Sequence, residues 1–257
     1  MAGQKQQTVL VTAGADGIGR SIAEKFLLAG ARVHICDVDQ KALSAVLDAH
    51  PKLTGTLADI GEADAVRSLV QTAAVQMGGI DVLVNNAGIG GPRAAVEDIE
   101  LDDWRRTIEV NLNGAFYCIR EVTPIMKRMG GGVILNIITS SVKTGLPLRS
   151  PYVASKAGLI GLSDNLAREL GPFNIRCNCI SPGLIDNARG RRLVQTHARS
   201  TGLSEAEAER EFLQYVSMHC WIKPEEVGDM AVFLASDAAR HVTGQHVAVD
   251  GNAEWEQ

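Results

Sequence analysis

The sequence predicts an α/β fold: a doubly wound, mostly parallel sheet of seven strands with helices on both faces. Three observations predict it. Seven short apolar runs punctuate the chain, helical stretches alternate with them, and the runs are apolar on both faces. Strands covered by helices on both sides have that composition, whereas one-sided antiparallel strands alternate apolar and polar residues. The predicted strands are 8–12 (TVLVT), 31–36 (ARVHIC), 53–57 (LTGTL), 80–84 (IDVLV), 132–138 (GVILNII), 174–180 (NIRCNCI) and 245–249 (QHVAV). Between them the pattern predicts helices over about 18–29, 39–49, 62–77, 101–128, 152–170 and 224–236. There is no internal repeat, low-complexity linker or charge block, so residues 1–257 read as one domain. The stretch 187–222 breaks the rhythm with a charged, helical insert. Beside the carboxyl ends of parallel strands, such an insert is placed to cover a substrate.

Composition narrows the function classes. The chain has 257 residues, a net charge of -5, 46% hydrophobic and 21% charged residues. That balance is ordinary for a globular protein and argues against nucleic acid or an anionic membrane as the main partner. No run approaches the ~20 apolar residues that span a bilayer, and the start lacks the pattern of a signal peptide. Five cysteines without a C-x-x-C motif predict reduced thiols and a cytoplasmic location. Cys177 and Cys179, two apart in a strand, read as small core residues on one face. No metal site is predicted.

The strand ends carry the chemistry. The first strand runs into Thr12-Ala13-Gly14-Ala15-Asp16-Gly17-Ile18-Gly19 and then a helix. Glycines there allow a tight turn and close approach of backbone to a pyrophosphate at the helix N-terminus. Gly14, Asp16, Gly17, Ile18 and Gly19 are therefore candidate cofactor contacts. Asp37 closes the second strand, where a carboxylate accepts hydrogen bonds from both ribose hydroxyls and repels a 2′-phosphate. With an acid rather than a base in the glycine loop, the expected cofactor is NAD. Asp59 and Ile60 follow the third strand, where a carboxylate can meet the adenine amino group. Asn86, Ala87 and Gly88 follow the fourth, where small residues let the chain pass close to the adenosine.

Tyr152 and Lys156, in SPYVASKAG, lie one helical turn apart on one face. That spacing alone is a weak pattern and reads as packing rather than chemistry. Combined with TAGADGIG, NNAG, EVNLNG and IRCNCISPGLI, in that order, it resembles the compact single-domain branch of the short-chain dehydrogenase/reductase family, over almost the whole chain. The resemblance implies a Rossmann-type fold, an oxidoreductase acting on CH–OH and a homo-oligomer, dimer or tetramer. It makes Tyr152 the acid/base and Lys156 the cation that favours its phenolate and holds the nicotinamide ribose. Asn111 would kink its helix and hold a water linking Lys156 to solvent, with Asn113 the lesser candidate. The substrate-orienting hydroxyl falls on Thr139, thirteen residues before Tyr152, or on Ser140 if the strand end bulges; Ser141 is expected to face away. Pro182, Gly183 and Ile185 would fix the nicotinamide carboxamide. Two departures stand out: Ala13 where the family has a glycine, and Asn187 where a threonine near the pyrophosphate is common.

The substrate is less legible. Arg149, three residues before Tyr152, and the insert's Arg189, Arg191 and Arg192 are guanidinium forks suited to a carboxylate. Aromatic residues are 4% of the chain, which predicts no aromatic wall and favours a small polar substrate such as a sugar acid or hydroxy acid. Trp255, near the C-terminus, is a candidate for the pocket or a subunit contact. Three alternatives stay open: a reductase of a less polar ketone or acyl substrate, a nucleotide-sugar epimerase or lyase, and a non-catalytic NAD-sensing protein.

Overall fold

The computed structural model describes residues 6–254, so Trp255 lies outside the described residues. In chain order the elements are β1 (Thr8–Thr12), α1 (Gly17–Leu28), β2 (Arg32–Asp37), α2 (Gln40–Ala49), β3 (Leu53–Leu57), α3 (Ala63–Met77), β4 (Val82–Asn85), α4 (Leu101–Ile108) and α5 (Gly114–Met129). They continue with β5 (Gly132–Ile137), α6 (Ser141–Thr144), α7 (Ser150–Leu170), β6 (Ile175–Pro182), α8 (Ala188–Thr201), α9 (Glu205–Leu213), α10 (Pro224–Ala235) and β7 (His246–Val249).

The strands form one sheet in the order β3-β2-β1-β4-β5-β6-β7, and every pairing is parallel. The strand order reverses between β1 and β4. At such a reversal the loops leave in opposite directions, which opens a crevice at the strands' carboxyl ends. This is the doubly wound, Rossmann-type arrangement expected from the alternation.

Alternation along β1 divides the interior. Val9 and Val11 face one side, where they pack with Ile22 and Phe26 of α1 and Leu234 of α10. Leu10 faces the other, against Leu69 of α3 and Ile119 and Met126 of α5. Each such fully buried side chain contributes roughly 1.5–3 kcal/mol relative to exposure. His34, in β2, sits inside with both ring nitrogens bonded to hydroxyls, Nδ1 to Thr54 at 2.8 Å and Nε2 to Thr56 at 2.9 Å. Burial pushes it down to about 4, against a side-chain hydrogen bond to Gln76 that raises it. A neutral imidazole bridging two strands is a packing device.

Three local features differ from the predicted pattern. The helix expected over 101–128 is broken by a π-turn at Glu109–Asn113, which inserts an extra residue and turns Asn111 inward. β6 runs on to Pro182, carrying the chain to the crevice before it leaves the sheet. The insert resolves into two helices, α8 capped by Asn187, whose Oδ1 accepts from the Gly190 amide at 2.9 Å, and α9 started by a Ser204/Glu207 capping box. Asn187 is thus a helix cap. Among the described residues no helix is long and apolar enough to cross a membrane, and no group of His, Cys, Asp or Glu has the arrangement of a metal site. All five cysteines are free; burial pushes Cys177 up to about 12 and Cys179 up to about 11.

Candidate active site

The glycine loop is shaped by close approach. A Cβ on Gly19 would lie 2.1 Å from the Ala13 carbonyl oxygen and 2.4 Å from Asn86 Nδ2, so no larger residue fits. Ala13 takes the left-handed conformation itself, at φ 49°, where the sequence left the flexibility to Gly14. Gly14 serves close packing instead: a Cβ there would meet Ile35 at 2.5 Å. Thr12, fully buried, ties the loop to the next turn. Its hydroxyl accepts from the amides of Asn86 and Ala87, each at 3.0 Å, while Asn86 Nδ2 donates to the carbonyls of Thr12 and Ala13. The sequence reading missed Thr12, whose only signal is a hydroxyl at the end of an apolar strand.

Asp37 stands at the end of β2, half-buried, with Oδ2 accepting from the Ala15 amide at 3.1 Å and Oδ1 from the Asp39 amide at 3.1 Å. Its carboxylate therefore bridges the glycine loop and the first turn after β2. Asp59 accepts from the Gly61 amide at 2.9 Å and pairs with Arg106 of α4; Ile60, buried, packs on Gly114 and offers only backbone. Asp16 precedes α1 with its side chain making no cap bond, and Gly17 holds φ 56° over open space. Small residues, a helix start and a carboxylate at the neighbouring strand end together fit a dinucleotide.

Lys156 is buried on α7, and its Nζ donates to the Ile137 carbonyl at 2.8 Å. Burial, with Arg189 as a lesser cause, lowers its pKa to about 8, while Cys179 acts the other way. Asn111 reaches the same place from the π-turn: its Oδ1 accepts from the Ile89 amide at 2.8 Å, and its Nδ2 donates to the Ile89 carbonyl and, at 3.0 Å, to Ser155 Oγ. Ser155 Oγ in turn donates to the Tyr152 carbonyl at 2.7 Å. A Cβ on Gly88 would sit 3.2 Å from both Asn111 Oδ1 and Lys156 Nζ, so the absent side chain leaves the space in which the two converge. Asn113 is turned away onto Glu109 at 2.7 Å. Ser155 was unforeseen, although its place between Tyr152 and Lys156 marks it as facing the same side.

Tyr152 opens onto a cleft of about 220 Å³ whose walls include Thr139, Ser141, Ile18, Arg149 and Arg189. Thr139 Oγ1 donates to Ser141 Oγ at 3.2 Å. Ser141 was expected to face away, but the short α6 starting there turns it onto the cleft wall. Ser140 is not on that wall; its amide donates to the Pro182 carbonyl at 3.2 Å. Pro182, Gly183 and Ile185 line the far side. A bridge to Ile222 uses the Leu184 carbonyl and the Asp186 amide, which leaves the Ile185 N–H outside the ladder. Phe212 and Trp221 also line the cleft, so the expectation of no aromatic wall is corrected. They come from α9 and the segment after it, too far apart in sequence to read as a cluster.

The arginines separate. Arg149 Nη1 donates to the carbonyls of Gly90 at 3.1 Å and Gly91 at 2.7 Å. Arg189 lies beside it, exposed. Arg191 is turned to Asp186 at 2.7 Å and Glu209 at 2.6 Å, and Arg192 is exposed away from the cleft lining; neither joins the wall.

The family described as enoyl-(acyl carrier protein) reductase matches residues 12–252. A probable galactose dehydrogenase of Rhizobium meliloti is 34% identical over 96% of this chain and 94% of its own. A 3-oxoacyl-(acyl-carrier-protein) reductase of Thermotoga maritima is 35% identical over 94% and 95%. Among solved structures, NAD+-bound xylitol dehydrogenase superposes with a TM-score of 0.89 at 27% identity, covering 96% of this chain and all of that one. Actinorhodin polyketide ketoreductase with NADPH gives 0.91 at 30% identity, covering 98% of each chain. With motifs, sheet order and relatives in agreement over nearly its whole length, the chain belongs to the short-chain dehydrogenase/reductase family of nicotinamide-dependent oxidoreductases.

Proposed function

We propose that the protein is an NAD-dependent oxidoreductase that interconverts a secondary alcohol and a ketone on a small polar substrate such as a hydroxy acid. One observation carries the reaction: Tyr152 and the Thr139 hydroxyl share a cleft wall while Lys156 is buried one turn behind, on the same helix. A phenol ordinarily ionises near about 10, so a proton acceptor at neutral pH needs a cation close by. Lys156, fixed by Ile137, is that cation. Tyr152 accepts the hydroxyl proton of an alcohol, or returns it to a ketone, while the Thr139 hydroxyl, turning its proton from Ser141, donates to the same oxygen and stabilises its developing charge. When bound, NAD supplies the hydride acceptor, so that an alcohol leaves as ketone plus a proton. Asn111, clamped by Ile89 and Ser155, holds the route from Lys156 to solvent.

The choice of NAD rests on Asp37. Its carboxylate is held at the rim of the glycine loop by the Ala15 amide, where a 2′-phosphate would meet a negative charge. Arg20, the nearest base along α1, is committed to Glu24 at 2.8 Å. Gly14, Asp16, Gly17, Ile18 and Gly19 are proposed at the pyrophosphate side, Asp59, Ile60 and Asn86–Gly88 at the adenosine, and Pro182, Gly183 and Ile185 at the nicotinamide. A homo-oligomer is proposed as well, supported by Trp104 and Phe116 lying exposed on α4 and α5.

A second reading, reduction of a less polar ketone or acyl substrate, draws on Phe212 and Trp221 in the cleft wall. A screen of alcohols and hydroxy acids with NAD, followed by absorbance of the reduced cofactor, tests both. Net accumulation of NADH on a polar alcohol is expected, and Tyr152→Phe is expected to lower turnover by about 10²-fold or more with NAD affinity nearly intact. Turnover in that variant above a tenth of the unmodified enzyme contradicts the role given to Tyr152. Absence of NADH with every alcohol, beside cofactor-recycling activity, would turn the reading toward an epimerase.

A further inference from the structure

Arg149 and Arg189 meet beside one glycine. A Cβ built on Gly90 would lie 2.7 Å from Arg189 Nη2 and 3.4 Å from Arg149 Nη1, so two guanidiniums flank a single glycine. No Asp or Glu lines the cleft they enter, although the chain as a whole carries a net charge of -5. Among the described residues Arg189 has no hydrogen-bond or ion-pair partner. Its neighbours on α8 show the contrast: Arg191 is held by two carboxylates. Arg149 is anchored differently, through Nη1 to the Gly90 and Gly91 carbonyls, which fixes the plane of its guanidinium without neutralising it. Its pKa is lowered by burial and then by the like charges of Arg189 and Arg93.

Two cations gathered without an anion store repulsion that a bound anion relieves. A carboxylate suits the arrangement. It is planar, it accepts from the donors that Arg149 has not committed to Gly90 and Gly91, and Arg189 can close on its second oxygen. We propose that Arg149 and Arg189 form a clamp for a substrate carboxylate, so that the substrate class is a hydroxy acid or its keto acid, with the carbinol presented to Tyr152. The clamp deepens the function proposed above and rests on it for the position of the carbinol. The division of labour is asymmetric. Arg149 is pre-oriented by the backbone and sets the carboxylate's direction, whereas Arg189, on the first turn of α8, supplies the closing contact. Gly90 is the hinge of the geometry, because any side chain there occupies the space of the Arg189 guanidinium.

The test compares a hydroxy acid with its methyl ester, as the ratio of their kcat/KM values with NAD, in the unmodified enzyme, Arg149→Met, Arg189→Gln and Gly90→Ala. The acid should be preferred, and the ratio should fall ten- to a hundredfold in each variant. Arg189 is exposed, so its variant keeps the test open if Arg149→Met fails to fold. Preference for the ester in the unmodified enzyme, or an unchanged ratio in Arg189→Gln, overturns the clamp. Saturation-transfer NMR on the NAD complex separates the clamp from the proposed chemistry. Isobutyrate, which has no carbinol, should bind and isobutyramide should not, with binding lost in Arg189→Gln, even if no alcohol is oxidised. Equal binding of the amide overturns the clamp, as does binding of inorganic phosphate in place of isobutyrate.

Discussion

The ammonium of Lys156 donates to the carbonyl of Ile137 at 2.8 Å, fastening the second turn of α7 to the carboxyl end of β5. Both groups are buried, and burial has lowered the lysine pKa from 10.5 to about 8. The unfolded chain therefore keeps a proton on this lysine, between those two values, that the folded chain has released. Below pH 8 the cost of burying the ammonium is present in full. As pH rises from about 8 to 10.5 that cost is relieved, so this group makes the fold more stable across the window. Urea unfolding of the cofactor-free protein at pH 7.5, 9 and 10.5 should show the unmodified chain gaining stability relative to Lys156→Met as pH rises. The change should reach up to ~3 kcal/mol, since a tenfold change in an ionisation constant corresponds to about 1.4 kcal/mol. A loss of stability relative to Lys156→Met as pH rises reverses the sign and rejects the argument.

Asp37 gives the second prediction. The unmodified enzyme should favour NAD over NADP by at least about tenfold in kcat/KM, because a carboxylate at the end of β2 pairs with ribose hydroxyls and repels a phosphate. Asp37→Ala should narrow that gap. It also removes the acceptor of the Ala15 and Asp39 amides, so its KM for NAD should rise along with the fall in discrimination. Equal use of both cofactors by the unmodified enzyme is the result that would falsify the assignment.

Ala13 stands where the family has a glycine, and its φ of 49° is a conformation that a Cβ resists. Holding an L-residue there costs roughly 1–2 kcal/mol, offset in part by the greater backbone freedom that glycine loses on folding. Ala13→Gly should therefore stabilise the protein by up to about 1 kcal/mol, or roughly 2–4 °C in Tm for a chain of this size. Calorimetry reads it directly. A fall in Tm would show that the turn is not strained.

The same loop shows what the sequence could and could not reveal. Strand–glycine–helix order, the acid at Asp37 and the Tyr152–Lys156 spacing are local, and local pattern survives into the fold because each element is built from its own residues. What was hidden depends on which elements meet. Thr12 holds Asn86 and Ala87 across a gap of more than seventy positions, and Phe212 and Trp221 reach the cleft only because α8 and α9 fold back over it. Ser141 faces the cleft through a four-residue helix too short to leave a periodic signal. Arg189 and Arg191, two apart, were alike as sequence. Their surroundings divided them, one over Gly90 and the other against Asp186 and Glu209.

That second arginine gives the last prediction. Arg191 Nε donates to Asp186, Nη1 donates to Glu209, and its guanidinium lies 4.5 Å from the Trp221 ring centroid. Trp221 Nε1 donates to the same Glu209 oxygen. One side chain thus joins the loop before α8, helix α9 and the aromatic wall of the cleft. The pairs are partly exposed, so solvent screens them and the network contributes only about 1 kcal/mol. It acts on the α8–α9 unit rather than on the sheet. Arg191→Met should therefore raise the rate of limited proteolysis within 187–213 about fivefold, while Tm changes by no more than about 2–4 °C. Raising salt should speed cleavage of the unmodified protein and leave the variant nearly unaffected, since screening removes what the mutation has already removed. Cleavage at the same rate in both proteins would show that α8 and α9 are held by Val194, Ala198 and Ala208, their own buried apolar contact, and that Arg191 is dispensable to the cover of the cleft.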